Sequence, residues 1–276
     1  MGTFLFVTDL HGSRWKYERT LALAIEAGAS LVINGGDMFP HGRLYEEQGR
    51  FVREFLDPHI AQYREAGIRY LGMPANDDLG ILDPLLEEVY ARHPVAANPA
   101  GRCVLIGGQE FLGMNLVTDF PFRLKDRARM DTSEFLFPPQ FGGGLLSLPG
   151  GWQEIPDWPA YARTLPTIEA ELASLPAPAD PSRAVYIIHG PPSGLSLDVC
   201  RGGAKVGSAA TLRFLEQRQP LLSLHGHIHE SPEESGVWKT SVGRTVVIQP
   251  GQSTAGLTAV HGDLETMEFE RRVVAP

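Results

Sequence analysis

Short apolar runs alternate with longer amphipathic stretches along the first third of the chain. Phe4, Leu5, Phe6 and Val7 predict a buried strand running into Thr8-Asp9-Leu10-His11-Gly12. Ser13 fits a helix cap, Tyr17, Leu21, Ala24 and Ile25 follow helical spacing, and Gly28 fits the helix end. Leu31-Val32-Ile33 predicts a second buried strand that stops at Asn34-Gly35-Gly36-Asp37. A longer amphipathic stretch follows, with Val52, Phe55, Leu56, His59, Ile60 and Tyr63 on one face and a kink expected at Pro58. Ile68-Tyr70-Leu71 predicts a third strand, ending at Met73-Pro74-Ala75-Asn76-Asp77-Asp78. Strand, helix, strand, helix, strand, with a polar cluster after each strand, argues for parallel strands and a site at their carboxyl ends.

Beyond this unit, Arg102 to Ile106 and Glu110 to Leu116 predict a hairpin turning at Gly107-Gly108. Residues 118 to about 151 keep no sustained period, and a loop that long in a compact domain is usually functional. Helix is expected over Tyr161 to Leu175, and a buried strand over Ala184 to Ile188, ending at His189-Gly190-Pro191-Pro192. Gly207-Ser208 starts a helix that Pro220 terminates, and Leu221, Leu222 and Leu224 form a last buried run before His225-Gly226-His227-Ile228-His229. Val237 to Thr240, Thr245 to Ile248, Thr254 to His261 and Leu264 to Phe269 close the chain in antiparallel strands.

Composition narrows the class. The 276 residues are ample for a substantial core, and a single domain over residues 1–276 is expected, with the 118–151 insert as a candidate cap over the site. A formal net charge of -9 opposes broad contact with a nucleic-acid backbone but admits a small phosphorylated substrate bound through metal. The two cysteines, Cys103 and Cys200, are expected as reduced thiols. The absence of a signal-like segment or a membrane-spanning apolar run points to the cytoplasm. The sequence leaves oligomeric state open.

The chemistry sits at the strand ends. Asp9, His11, Asp37, Asn76, His189, His227 and His229 all follow predicted buried strands. Singly, each has an ordinary explanation as a turn or hydrogen-bonded core residue. Jointly they make a mixed nitrogen and oxygen ligand set suited to manganese, iron, zinc or nickel. Glycines at 142–144, 150–151 and 202–203 lack a following Lys-Ser/Thr, and Ser193 lacks the glycine context of a nucleophilic serine.

The order Asp9-x-His11, Gly36-Asp37, Asn76, His189 and Gly226-His227-Ile228-His229 resembles the calcineurin-like metallophosphoesterase superfamily. The likeness spans residue 3 to about 253. The stretch from Gly207-Ser208 to Leu215, with Pro250-Gly251, is similar to the cyclic-nucleotide-phosphodiesterase-like subgroup. The resemblance implies an α/β fold, a four-layer α/β/β/α sandwich of two mixed sheets flanked by helices, holding two divalent or mixed-valence transition-metal ions. It implies Asp9, His11 and His229 around the first, Asn76, His189 and His227 around the second, and Asp37 between them. Two cations roughly 3.5–4 Å apart clamp a phosphoryl group and make a bridging hydroxide near neutral pH. The activity implied is hydrolysis of phosphodiester or phosphoanhydride bonds of a small molecule.

The chain departs from the family where Gly-Asn-His-Asp becomes Ala75-Asn76-Asp77-Asp78. The missing histidine is the one usually credited with helping the leaving group. A carboxylate at Asp77 repels phosphate, so either the leaving group is good or another residue supplies a proton. His225 and His41 are the candidates. His41 reads better as an ordinary polar residue, and His225 stays open between a catalytic and a core-facing role. Catalytic candidates are therefore Asp37, Asn76, Asp77 and His225. Arg123, Lys125, Arg127 and Arg129 give the insert local positive charge that could meet phosphate, against a more ordinary surface role. Phe135, Phe137, Phe141 and Trp152 could stack on a base or anchor the loop. The alternatives are a phosphomonoesterase or protein phosphatase, a membrane-lipid pyrophosphohydrolase, and a non-catalytic metal-binding scaffold.

Overall fold

In a computed structural model, residues 2–276 are described, with the backbone alone for residues 43 and 44. The N-terminal half runs β1 (Phe4–Val7), α1 (Arg14–Glu26), β2 (Leu31–Asn34), α2 (Gln48–Phe51), α3 (Asp57–Glu65), β3 (Arg69–Gly72), α4 (Asp83–Arg92) and β4 (Ala96–Ala97). Then come β5 (Cys103–Ile106), β6 (Gln109–Met114), β7 (Val117–Thr118), β8 (Ala128–Arg129), β9 (Gly144–Leu148), β10 (Gly151–Ile155), α5 (Trp158–Ala162) and α6 (Ile168–Ser174). The chain ends through β11 (Val185–Ile188), α7 (Ala209–Arg218), β12 (Leu222–Leu224), α8 (Ser231–Ser235), β13 (Lys239–Val242), β14 (Thr245–Ile248), β15 (Leu257–Gly262) and β16 (Phe269–Val274).

Two six-stranded mixed sheets result, in the orders β16-β15-β1-β2-β3-β4 and β13-β14-β12-β11-β6-β5. Their inner faces meet in an apolar layer that includes Phe4, Phe6, Ile33, Phe111, Ile187 and Leu224. A second cluster covers the outer face of the first sheet, with Tyr17 and Leu21 of α1, Ile60 of α3 and Leu86 of α4. A third covers the other sheet, with Ile168 of α6 and Phe214 of α7. This is the expected four-layer α/β/β/α arrangement, and it follows from strands that are apolar on both faces. In β1, β2, β11 and β12 every residue is buried.

Register places the polar clusters. Val7 pairs with Asn34 and Asn34 with Gly72, so β1, β2 and β3 end level, just before Asp9, Asp37 and Asn76. In the other sheet Ile187 pairs with Leu224, and Leu224 with Ile248, bringing His189 and the double-histidine loop to a common edge.

Three expectations differ from the structure. Helix over Tyr161 to Leu175 is split into α5 and α6, because Pro166 interrupts it and Thr167 caps the second piece by accepting from the Ala170 amide at 3.2 Å. Leu264 to Phe269 is mostly a turn instead of a strand: the Asp263 carboxylate accepts from the amides of Glu265 and Thr266, and Met267 adopts φ 57°. The aperiodic 118–151 insert ends in the first strand and turn of an antiparallel hairpin, β9–β10, which turns at Pro149-Gly150 and runs on to Ile155. The kink near Pro58 takes the form of a π-helical turn over Val52–Leu56, with Pro58 in the first turn of α3.

Candidate metal centre

Two trios face each other where the strands of both sheets end. One ligand atom each from Asp9, His11 and His229 lies within 4.8 Å of the others, and the same holds for Asp37, His189 and His227. His11 Nε2 is 3.1 Å from His229 Nε2, and His229 Nε2 is 3.3 Å from Asp9 Oδ1. His189 Nε2 stands between the trios, 3.5 Å from Asp37 Oδ2 and 3.7 Å from Asp9 Oδ1. The two His189 separations exceed a sound hydrogen bond, and His189 Nε2 is left buried without a partner, as is Asn76 Oδ1.

The local backbone is bent to make this meeting possible. Asp9 (φ 56°), His11 (φ 46°), Asp37 (φ 49°) and His227 (φ 71°) all occupy the left-handed region, which costs each side chain some strain and clusters at functional sites. The motif glycines have a steric cause. A Cβ on Gly226 would come 2.1 Å from Thr8 Oγ1 and 2.6 Å from Asp9 Oδ2, and one on Gly36 would come 2.5 Å from His189 Nδ1. Hydrogen bonds then fix the side chains. His189 Nδ1 lies 2.9 Å from the Gly35 carbonyl, which leaves Nε2 for the centre. The Asp77 amide donates to Asp37 Oδ1 at 2.8 Å, and the His227 amide donates to both Asp9 oxygens at 3.2 Å.

Electrostatics in the centre ask for positive charge. Burial disfavours a charged His189, but the Asp37 and Asp9 carboxylates outweigh it and push its pKa up to about 9. Burial likewise opposes the Asp37 charge, yet His189 brings that carboxyl down to about 2. His227 is lowered to about 4, by burial first and then by His189. Two buried carboxylates, four imidazoles and an unpartnered amide oxygen form a donor set that fits transition-metal ions.

Behind the ligands stand residues that brace their loops. Asp78 is wholly buried and its carboxylate accepts from the amides of Met38 (2.9 Å), Phe39 (2.7 Å) and Ala75 (2.7 Å), tying the loop after β2 to the loop after β3. Gln249 Nε2 donates to the Ile228 carbonyl at 2.5 Å, and Gln252 Nε2 donates to the Thr8 carbonyl at 2.7 Å, bracing the double-histidine loop and the end of β1. Asp78 closes the motif quoted above, whereas nothing in the pattern around Gln249 and Gln252 singles them out.

The two histidines weighed as proton donors exchange places. His225 is fully buried, with Nδ1 2.7 Å from the Ile188 carbonyl and Nε2 2.8 Å from Ser223 Oγ. Both nitrogens are committed, so the structure does not bring His225 to the centre. His41 instead stacks on His11 at 4.1 Å between ring centroids and sits 3.2 Å from Asp77 Oδ2. The hydrogen bond to Asp77 raises the His41 pKa against partial burial.

The insert's cations are not free for phosphate. Lys125 is buried against Asp119 (2.8 Å) and the Phe120 carbonyl, and Arg127 clasps Asp83 at 2.5 and 3.2 Å. Arg129 bonds the Asp126 and Ala128 carbonyls, and Arg123 pairs with Glu154 at 2.6 Å. Met130 of the insert forms a small core with Ile155 and Trp158 just beyond it, against which Phe135 and Phe137 pack. A cleft of about 920 Å³ opens over the trios, lined by Asp37, Asn76, Asp77, His227 and His229 on one side and by insert residues on the other.

The chain matches the description of calcineurin-like phosphoesterases over residues 2–231. It belongs to the calcineurin-like phosphoesterase family. A dimetal site is typical of this family, and the two His/Asp trios supply its candidate ligands here. No curated protein matches the chain. Among solved structures, one crystal structure aligns over 100% of both chains with a TM-score of 0.62 and 16% identity. TT1561 of Thermus thermophilus aligns over 99% of this chain and 98% of its own, with a TM-score of 0.57 and 18% identity. A dimetal phosphatase from Danio rerio aligns over 99% and 96%, with a TM-score of 0.54 and 14% identity. At these identities the likeness is one of fold. No helix among the described residues is long and apolar enough to cross a membrane, and Cys103 and Cys200 are both free thiols.

Proposed function

We propose that this calcineurin-like phosphoesterase is a dinuclear-metal hydrolase of phosphodiester or phosphoanhydride bonds in a small molecule. The observation that carries the reading is the pair of trios with buried, unpartnered His189 Nε2 and Asn76 Oδ1 at the floor of one cleft. Asp9, His11 and His229 would hold one ion, Asn76, His189 and His227 the other, and Asp37 both. Manganese, iron, zinc and nickel all suit the donors. When bound, the ions supply charge for the phosphoryl oxygens and lower the pKa of water.

The chain's own residues do the rest. Asp37 is held in place by the Asp77 amide and cannot swing away from the centre. The Asp77 carboxylate lines the cleft, where it repels a doubly charged phosphomonoester more than a singly charged diester. That difference favours the diester over the monoester. His41, hydrogen-bonded to Asp77 and lining the same cleft, holds a proton for the departing oxygen in place of the family's missing histidine. The 118–151 segment walls the cleft as a cap within a single catalytic unit. The cyclic-nucleotide-phosphodiesterase-like subgroup is supported by the Ser208-capped α7 ahead of the double-histidine loop, and bears on the bond cleaved.

The test is hydrolysis of bis-p-nitrophenyl phosphate and p-nitrophenyl phosphate by metal-stripped protein with each metal restored, and Asp37→Ala as control. Metal-dependent diester cleavage, lost in the control together with bound metal, is expected. A preference for the monoester moves the reading to a phosphatase. Stoichiometric metal without turnover moves it to a binding scaffold.

A further inference from the structure

The wall of the cleft opposite the candidate ligands is apolar and largely open to solvent. Leu136 is 89% exposed, Phe122 64% and Val206 43%, and all three line the cleft with Phe120 and Phe135. The rings form a continuous track outward from the metal centre. Phe120 lies 6.0 Å from His227, Phe122 lies 6.1 Å from Phe120, and Phe141 at the rim lies 5.6 Å from Phe122. Large apolar side chains gathered on one concave surface mark a ligand site more often than chance exposure does.

Two carboxylates on the same wall, Asp119 and Asp131, are already engaged. Asp119 accepts from Lys125, Trp158 Nε1 (2.8 Å) and Gln140 Nε2 (2.9 Å). Asp131 accepts from Ser208 Oγ (2.5 Å) and the Ala209 amide (2.9 Å). Neither is left to read the edge of a base or a sugar hydroxyl. Among the described residues, Lys205 is the one lysine or arginine of the lining and lies on this wall, so a second anionic group meets little countercharge away from the histidines.

We propose that this cleft receives an alkyl or acyl chain carried by the phosphate ester, so that the substrate is an amphiphile. The phosphate sits at the trios, and the chain runs along Phe120, Phe122, Leu136 and Val206. The cleft volume of about 920 Å³ lies at the upper end for small-molecule sites, enough for an extended chain. The assignment rests on the hydrolytic reading above for its chemistry, but its binding part stands alone.

Two measurements on the full chain test it. The first follows hydrolysis of p-nitrophenyl alkyl phosphates with methyl, butyl, octyl and dodecyl chains, each below its micellar concentration. Water adds to phosphorus, p-nitrophenolate leaves and the alkyl phosphate remains. The second is calorimetric binding of the matching alkyl phosphates to the protein as isolated. Each methylene removed from water is expected to raise kcat/KM and affinity about two- to fourfold until the cleft is filled. In Leu136→Asp and Phe122→Ser the dodecyl-to-methyl ratio should fall towards one, in both rate and affinity. A flat calorimetric series in the wild type overturns the proposal whatever the activity. Chain-dependent binding without hydrolysis under any metal refutes the hydrolytic reading and upholds the cleft. A chain-length gain that both variants keep places the chain elsewhere, and overturns it too.

Discussion

Removing the Asp78 carboxylate should destabilise the protein and dismantle its metal centre together. Asp78 is fully buried and is the common acceptor for three amides, two from the segment after Asp37 and one from the residue before Asn76. A hydrogen bond to a charged acceptor contributes about 1.5–3 kcal/mol, and a buried amide without a partner costs about 1–3 kcal/mol. Three such bonds would sum to well above the net effect, for two reasons. Burial, with Asp37 adding to it, raises the Asp78 pKa well above the ordinary carboxyl value, so deleting the side chain also relieves a desolvation cost. Water can enter the space left behind and meet some of the amides. The expected net loss for Asp78→Ala is about 3 kcal/mol, near the lower end for breaking a buried charge network. For a chain of this size that lowers the midpoint by roughly 6–12 °C. Guanidinium and thermal unfolding of the metal-free protein read the stability, and metal content after reconstitution reads the site. Asp78→Asn keeps one acceptor oxygen and should recover part of the loss. A loss below about 1 kcal/mol, or full metal content in Asp78→Ala, would refute the idea that this carboxylate holds the two ligand loops.

Other perturbations have equally definite outcomes. His59 is buried with both ring nitrogens unpartnered, stacked on Phe55 at 5.3 Å and edge-on to Tyr63, and burial lowers its pKa to about 4. As pH falls below about 6.5 the unfolded chain takes up a proton that the folded chain refuses, so stability is full above that pH and is lost down to pH 4. His59→Phe should therefore weaken the fall in unfolding free energy between pH 7 and pH 4.5 by about 2–3 kcal/mol, and equal slopes in urea titrations would contradict it. His41→Ala should slow diesters with a phenolate leaving group by about 100-fold and p-nitrophenyl diesters by less than about threefold. A uniform loss across leaving groups would exclude a proton-donating role. Asp37→Ala, the control above, should lose bound metal as well as turnover, which metal analysis checks directly.

The parts of the fold governed by local pattern were legible in sequence. β1, β2 and β11 carry apolar residues on both faces, as a central strand between two layers does. The seven candidate ligands stood out in sequence because each sits within a few residues of a predicted strand, and the structure gathers six of them into the two trios. What escaped depended on contacts between distant segments. Whether His225 or His41 faced the cleft turned on where the ring went, and His225 was claimed by carbonyls of the neighbouring strand's end. Lys125 and Arg127 stayed between a phosphate-meeting and an ordinary surface role because their acidic partners, Asp119 and Asp83, have no periodic relation to them. The β9–β10 hairpin escaped because both strands are short and half-exposed, with little alternation to detect.

The seam position of the centre also governs its birth during synthesis. Asp9, Asp37 and Asn76 belong to the first sheet, whereas His189, His227 and His229 come with the second, and β15 must still return to pair with β1. At ordinary elongation speeds, roughly 10–40 s separate the emergence of Asp37 from that of His229. Throughout that interval the nascent chain carries carboxylates without the imidazoles that complete either trio. A partly made chain thus offers, from the two trios, only Asp9, His11 and Asp37 until His189 emerges, and both trios are completed only by His227 and His229 in the last quarter of the polypeptide. Neither candidate trio can close until the loop after β12 has been made.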